Sequence, residues 1–212
     1  MKSLHYQSPE LGELPQFRPV PCGIPEEYSH DVWPGYAAPI LINDPLYSWV
    51  LGSFGLVPSW ADRSFGKRTF TARVENTTAE LSFRKAWLQR QLCVVPMSCF
   101  FVARYSSRMP SFWKIERNDH RPFGVPGLWE VSAHEQGEPH WSFTILTYNA
   151  DDEPIMKNFF HREEEKRDMF VLRENEYDKW LRAPSEAAML ELLHPLDASM
   201  FTVSEPKLSN IR

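Results

Sequence analysis

Cysteine is scarce: Cys22, Cys93 and Cys99 are the whole supply in 212 residues. Their odd number and irregular spacing exclude a disulfide framework and point to a reducing, cytoplasmic compartment. The sequence has no CxxC, and His134 and His140, the nearest histidine pair, lack standard ligand spacing, so no metal is expected. Glycine is also sparse, and GxxxxGK[ST], GxGxxG and GxSxG are all missing. Their absence removes the phosphate-loop, dinucleotide and α/β-hydrolase readings, and no cofactor is expected. No apolar run approaches the length of about 18 residues that a membrane span needs. The opening "MKSLHYQSPELGELPQF" has no apolar core of the kind a secretory signal carries.

What is present speaks for a folded chain. Apolar residues make up 42% and aromatics 14%, enough for a sizeable core in one domain spanning 1–212. The segments 40–42, 47–57, 92–105, 111–117, 122–132 and 141–150 are apolar, β-branched or aromatic and read as short strands. Pro96 is expected to break the strand-like run at 92–105. Helices are expected over 77–91, capped by Thr77 or Thr78 with Glu80 in the first turn, and around "NEYDKWL" and "SEAAMLELL". Residues 1–38, rich in Pro and Gly, read as loop. The order shows no βαβ rhythm, which implies α+β: a single domain with a curved or barrel-like, mainly antiparallel sheet and peripheral helices.

The net charge of −5 hides an asymmetry. Residues 60–121 hold 12 Lys/Arg against 5 Asp/Glu, and the remainder holds 11 against 23. Within the basic part, "RTFTARVENTTAELSFRKAW" (68–87) places Arg68, Arg73, Arg84 and Lys85 among aromatics. Cations that track phosphates beside aromatic faces that stack on bases are what a single-stranded nucleic-acid groove requires. A solvated charged surface over an aromatic core has the same composition. Arg73 and Arg84 could equally pair with Glu75 or Glu80 and only hold the segment. His161, in "KNFFHREEEKRDMF", reads as structural or catalytic, and Cys93 and Cys99 as small packed hydrophobes.

The ordered series "FGLVPSWA", "TFTARVENTTAELSFRKAW", "CVVPMSCFFVA", "FGVPGLWE", "FTILTYNAD" and "MKNFFHREEEKRDMFVL" resembles the SOS-response-associated peptidase (SRAP) family, especially its phage-related branch. The resemblance runs from about residue 33 to residue 181. It implies a single α+β domain around a barrel-like sheet, with single-stranded DNA in a basic cleft. It also implies capture of abasic sites as a thiazolidine on an N-terminal cysteine, and a peptidase activity that removes leader residues. Pro58, Ser59, Trp60, Arg73, Glu75, Phe83, Arg84, Ala86, Gly127, Leu128, Trp129 and Glu130 match the family pattern. Of these, Arg73, Arg84, Trp60, Ser59 and Pro58 are the implied DNA-contacting set.

The implied reactive centre is altered. Lys2 stands where the family has its cysteine, Thr71 where it has Asn, and Val102 where it has Glu, while His161 keeps its place. Cys22 lies well downstream and has no free α-amine, so it does not replace the nucleophile. Three readings stay open at this stage. The chain could bind single-stranded or abasic DNA without thiazolidine chemistry. It could react through the Lys2 or terminal amine, forming a reversible Schiff base. It could also be a regulatory module that recruits a protein partner through "EYSHDVWPGY".

Overall fold

The apolar runs of the middle of the chain alternate between two destinations, and this sets the architecture. A computed structural model describes residues 4–19, 28–46, 48–104, 111–133, 139–153, 155–156, 159 and 165–205. Among these, the strands in order are β1 (Leu4–Gln7), β2 (Asp31–Val32), β3 (Ala37–Ile42), β4 (Trp49–Phe54), β5 (Thr71–Arg73) and β6 (Leu92–Met97). They continue with β7 (Cys99–Arg104), β8 (Ser111–Arg117), β9 (Phe123–Ala133), β10 (Pro139–Asn149), β11 (Arg167–Met169) and β12 (Phe201–Ser204). The helices are α1 (Leu81–Leu88), α2 (Tyr177–Leu181) and α3 (Glu186–Glu191).

Strands β10, β4, β3, β6 and β9 are hydrogen-bonded in that order, and β9 pairs back onto β10, so five strands close a barrel. All of its pairings are antiparallel except β10 with β4. The remaining sheet, β12-β8-β7-β1-β2, is antiparallel throughout. The chain passes from one sheet to the other at Ser98, between β6 and β7, where the Ser98 N–H donates to the Gln7 carbonyl at 2.8 Å. The architecture is therefore the α+β, barrel-like and mainly antiparallel one expected, with helices at the periphery.

Side chains alternate across each strand with a period of two, so a strand buried on both faces reads as a continuous apolar run. Ile40, Ile42, Cys93, Val95 and Ile145 fill the barrel interior together with Leu4, Tyr6, Phe100 and Val102 from the five-stranded sheet. Their neighbours Leu41, Leu92, Val94 and Leu146 face outwards and are covered by Phe83 and Trp87 of α1, Trp180 of α2 and Met189 of α3. Trp180 is fully buried, and its indole N–H donates to the Cys93 carbonyl at 2.9 Å, which satisfies its polar atom.

Three local expectations need correction. Helix α1 begins at Leu81, because the Thr77 hydroxyl donates to the Val74 carbonyl at 3.0 Å and closes a 3₁₀ turn instead of capping the helix. Pro96 does not break its strand: β3 pairs only with Cys93 and Val94, so the missing N–H of Pro96 falls beyond that ladder. Residues 1–38 are not all loop, since β1 lies inside the five-stranded sheet, between β7 and β2. Among the described residues no helix is long and apolar enough to cross a membrane.

The end of β4 is fixed by two glycines. Gly55 has φ +121°, and a Cβ there would fall on the Gly66 carbonyl, while a Cβ on Gly66 would lie 2.8 Å from the Gly55 oxygen. Gly55→Ala is expected to destabilise the fold by at least about 2 kcal/mol, through positive-φ strain and backbone overlap together. Gly12→Ala, where an added Cβ meets nothing within 4 Å, is expected to shift stability by less than about 0.5 kcal/mol. Urea denaturation of the two variants beside the wild type measures both.

Candidate functional site

Residues 55–69 leave the barrel at the end of β4 and return at the start of β5 as a pinned excursion. At its base the Thr69 hydroxyl donates to the Leu56 carbonyl at 2.6 Å, the Leu56 N–H donates back to Thr69 at 3.3 Å, and Gly55 and Gly66 touch. Val57 is tied to β10 through its N–H, which donates to the Ser142 hydroxyl at 2.9 Å. Asp62 caps the 3₁₀ segment Arg63–Arg68, accepting from the Ser64 N–H at 2.8 Å, and the hydrogen bonds from Ser64 hold its carboxyl below the usual range. That acid is thus engaged within its own turn.

What the excursion presents is one aromatic platform among cations. Pro58 is buried, Ser59 is exposed, and Trp60 is 63% exposed with its ring edge-on to Phe65 at 5.1 Å. Arg63, Lys67 and Arg68 are exposed and form no ion pair among the described residues. The turn preceding β3 joins the same rim: the Gly35 N–H donates to the Phe54 carbonyl at 2.6 Å, and Lys67 reaches to within 3.9 Å of where a Gly35 Cβ would stand. Trp33 and Tyr36, at 38% and 51% exposure, flank that turn.

Thr71 opens β5, half-buried and paired with Ile145 of β10. Two residues on, Arg73 is held by Glu165 at 3.0 Å, not by Glu75 or Glu80. Glu165 also accepts from Arg167 at 2.9 Å, and Arg167 grips Glu75 with both terminal nitrogens and the Thr147 carbonyl at 2.8 Å. Arg167 is buried at 2% exposure, so its charge depends on these partners. The hydrogen bond from Arg167 in turn lowers the Glu75 carboxyl below its usual range. Arg84 stands exposed on α1 and forms no ion pair among the described residues, whereas its neighbour Lys85 is bound to the buried Glu130 of β9. Sequence reasoning missed Arg167, Arg63 and Lys67. Their one sequence signal is charge in a strand-like or turn-like context, which does not show who pairs with whom.

Val102 is 1% exposed on β7, directly opposite Leu4 of β1, in the apolar interior with Tyr6 and Phe54. No carboxylate occupies that position. Lys2, His161 and Cys22 lie outside the described residues. Cys93 and Cys99 are buried, and burial pushes both thiols up, Cys99 to about 11, so neither is a ready nucleophile at neutral pH. No group of three potential metal ligands occurs among the described residues. Clefts of about 500 Å³ beside α2 and α3 and about 460 Å³ beside β12 are lined by none of the residues mapped from the sequence.

The family model described as SOS response associated peptidase (SRAP) matches residues 16–207. The chain belongs to the SRAP family. Membership associates this SRAP chain with the SOS response to DNA damage. Among solved structures, a Bordetella bronchiseptica protein superposes with a TM-score of 0.85 at 26% identity, over 96% of this chain and 99% of the other. A Bacteroides thetaiotaomicron protein gives 0.70 at 21% identity, covering 84% and 80%. A phage-related protein of B. bronchiseptica gives 0.70 at 14% identity, covering 96% and 92%. The last two share the fold alone. No curated protein matches the SRAP chain.

The residue after Arg167 is a buried acid. Asp168 follows Arg167 on β11 and therefore points to the opposite face, where it is 1% exposed and accepts from the Met169 N–H at 2.8 Å. Desolvation raises its carboxyl from 3.8 to about 8, with Glu153 adding to the rise. A folded-state value above the unfolded one gives stability that is fully present below 3.8 and is lost as pH rises through about 8. Asp168→Asn imitates the protonated acid and keeps the acceptor. The variant is expected to gain on the wild type by more than about 1 kcal/mol between these limits, measured by denaturant unfolding across that pH range.

Proposed function

We propose that this SRAP-family chain, of the phage-related kind, holds single-stranded or abasic DNA on the rim formed by residues 58–73, without the family's thiazolidine chemistry. The observation that carries this reading is the exposed Trp60, edge-on to Phe65 and on the same excursion as the exposed Arg63, Lys67 and Arg68, none of which forms an ion pair among the described residues. A stacking face with unspent cations suits a flexible strand, whose bases are open and whose phosphates are closely spaced. Pro58 and Ser59 shape the approach to Trp60. Arg73 and Arg84 extend the cationic edge: Arg84 is exposed, and Arg73 keeps half its side chain in solvent although one nitrogen is held by Glu165.

The altered centre supports binding without ring closure. A thiazolidine forms when an amine and a thiol of one residue add to an aldehyde carbon with loss of water. Lys2 supplies an amine but no thiol, so its reaction with the opened sugar stops at a reversible imine. At Val102 the side chain offers no proton to either step. Thr71 retains a hydroxyl in place of an amide, and His161 remains the one unaltered member of the mapped set. The pairing of Leu4 with Val102 favours the imine as a second reading, since it brings the strand that begins two residues after Lys2 onto the strand of the mapped acid.

Fluorescence anisotropy with labelled single strands tests the binding. Affinity is expected to fall linearly on a log–log plot against salt, with a shallower slope in the Arg63→Glu/Lys67→Glu/Arg68→Glu variant and smaller losses in Arg73→Glu and Arg84→Glu. Trp60→Ala is expected to weaken binding by about fivefold or more with the salt slope unchanged. Undetectable or salt-insensitive binding by the wild type would sink the proposal. On an abasic strand, no SDS-resistant adduct is expected without reductant. A borohydride-trapped species lost in Lys2→Ala would establish the imine route.

A further inference from the structure

The five-stranded sheet turns Leu4, Tyr6, Phe100 and Val102 towards the core, so the residues between them project from the other face. On that face lies a ladder of rings. His5 of β1 is opposite Phe101 of β7, and the two rings stack at 4.4 Å with planes 5° apart. The other side of the His5 ring carries Trp33, at 3.8 Å and 10°. Phe112 of β8 closes the assembly edge-on, 5.1 Å from His5 and 5.8 Å from Trp33.

The ladder is buried at one end and open at the other. His5 is 8% exposed, whereas Trp33 is 38% exposed although one of its faces is covered by imidazole. Burial holds the imidazole down at about 4, against the pull of Asp31, so the support under Trp33 carries no charge at neutral pH. Its Nδ1 is buried without a hydrogen-bond partner among the described residues, so the ring is retained by its faces and not by that nitrogen. Trp33 is also tied to the rim: its carbonyl accepts from the Tyr36 N–H at 2.8 Å, and the intervening Gly35 is the residue that binds Phe54 and neighbours Lys67.

We propose that Trp33 is a second base-stacking position, distinct from Trp60, on which an unpaired nucleobase continues the Phe101–His5–Trp33 ladder. The inference rests on the single-strand reading of the rim. It adds a fixed point to that reading, because Trp60 meets its neighbour edge-on whereas Trp33 is backed face-to-face by two further rings. A nucleobase offers the flat face needed to extend such a stack, and only an unpaired base has that face free. Lys67, beside the same turn, supplies a cation for the adjoining phosphate. His5 acts here as a positioning residue: it touches Trp33 and not the strand.

The test compares an oligothymidine with a strand of the same length made of base-free tetrahydrofuran units, both fluorescein-labelled, using the full chain. Wild type is expected to prefer the base-bearing strand. Trp33→Ala is expected to bind oligothymidine about fivefold or more weakly, while its affinity for the base-free strand and its salt slope stay unchanged. His5→Phe should keep the preference and His5→Ala should reduce it. As a check independent of folding, photocrosslinking of a 5-iodouracil strand to the wild type is expected to label Trp33. Equal binding of both strands by Trp33→Ala and wild type, equal losses on both strands, or crosslinks that omit Trp33 would overturn the inference while leaving the single-strand reading in place. Failure of the wild type to bind either strand overturns that reading itself, and the inference with it.

Discussion

Strand β10 is hydrogen-bonded along both edges, and the rest of the molecule is arranged by that fact. Near its start it pairs with β4 on one edge and β9 on the other, and this pairing closes the barrel. Further along, β5 and β11 replace them on the two edges. The handover from β4 to β5 obliges the chain to leave the sheet after Phe54 and return at Thr71, on the same edge of the same strand. The residues in between cannot join the ladder, so they form the pinned excursion that carries Trp60 and its cations. The position of the candidate site is therefore a consequence of barrel closure. The contact of Gly55 with Gly66 lets that excursion lie close against the barrel end.

The same geometry sorts the charged residues by what they can do. On the opposite edge β11 carries the buried Arg167, whose side chain reaches across β10 to Glu75, and Glu75 and Glu165 are needed to neutralise it. Breaking such a pair leaves a buried charge exposed to a cost of about 3–5 kcal/mol, so these acids have a structural reason to be present whatever the chemistry nearby. Glu130 answers Lys85 in the same way between β9 and α1. Several positions that carry the family resemblance are thus occupied in holding the barrel together. Unspent positive charge lies between them, at Arg63, Lys67 and Arg68 on the excursion and at Arg84 on α1.

Strand runs, helical segments and fold class were readable because apolar alternation and turn residues are local signals. The failures were non-local. "LHYQ" at residues 4–7 is too short and too polar to announce a strand, and its place comes from Cys99–Arg104, almost a hundred positions on. Thr77 had the right type for a helix cap, but a competing carbonyl three residues back took its hydroxyl. The basic, aromatic character of the middle segment was visible, yet the acid that binds Arg73 lies in a distant part of the chain. The ladder of His5, Phe101 and Trp33 was invisible for the same reason: its three rings come from three strands or their flanks, and no spacing in the sequence joins them.

The interior around β1 and β7 ties a buried apolar face to an aromatic surface. Alternation along both strands means that the residues on one face fill the barrel side while those on the other build the stack. Val102 and Leu4 belong to the first set, and each is an apolar side chain where burial is nearly complete. An ionised carboxylate at position 102 would be costly among Leu4, Phe54 and Phe100, even with the unpartnered hydroxyl of Tyr6 in the same cluster. Valine suits that setting, and it favours a firmly seated β1–β7 pair. That pair sets the register of His5 against Phe101 and so the plane of Trp33. The seating of Val102 against Leu4 thus also steadies the ladder on the opposite face of the same two strands.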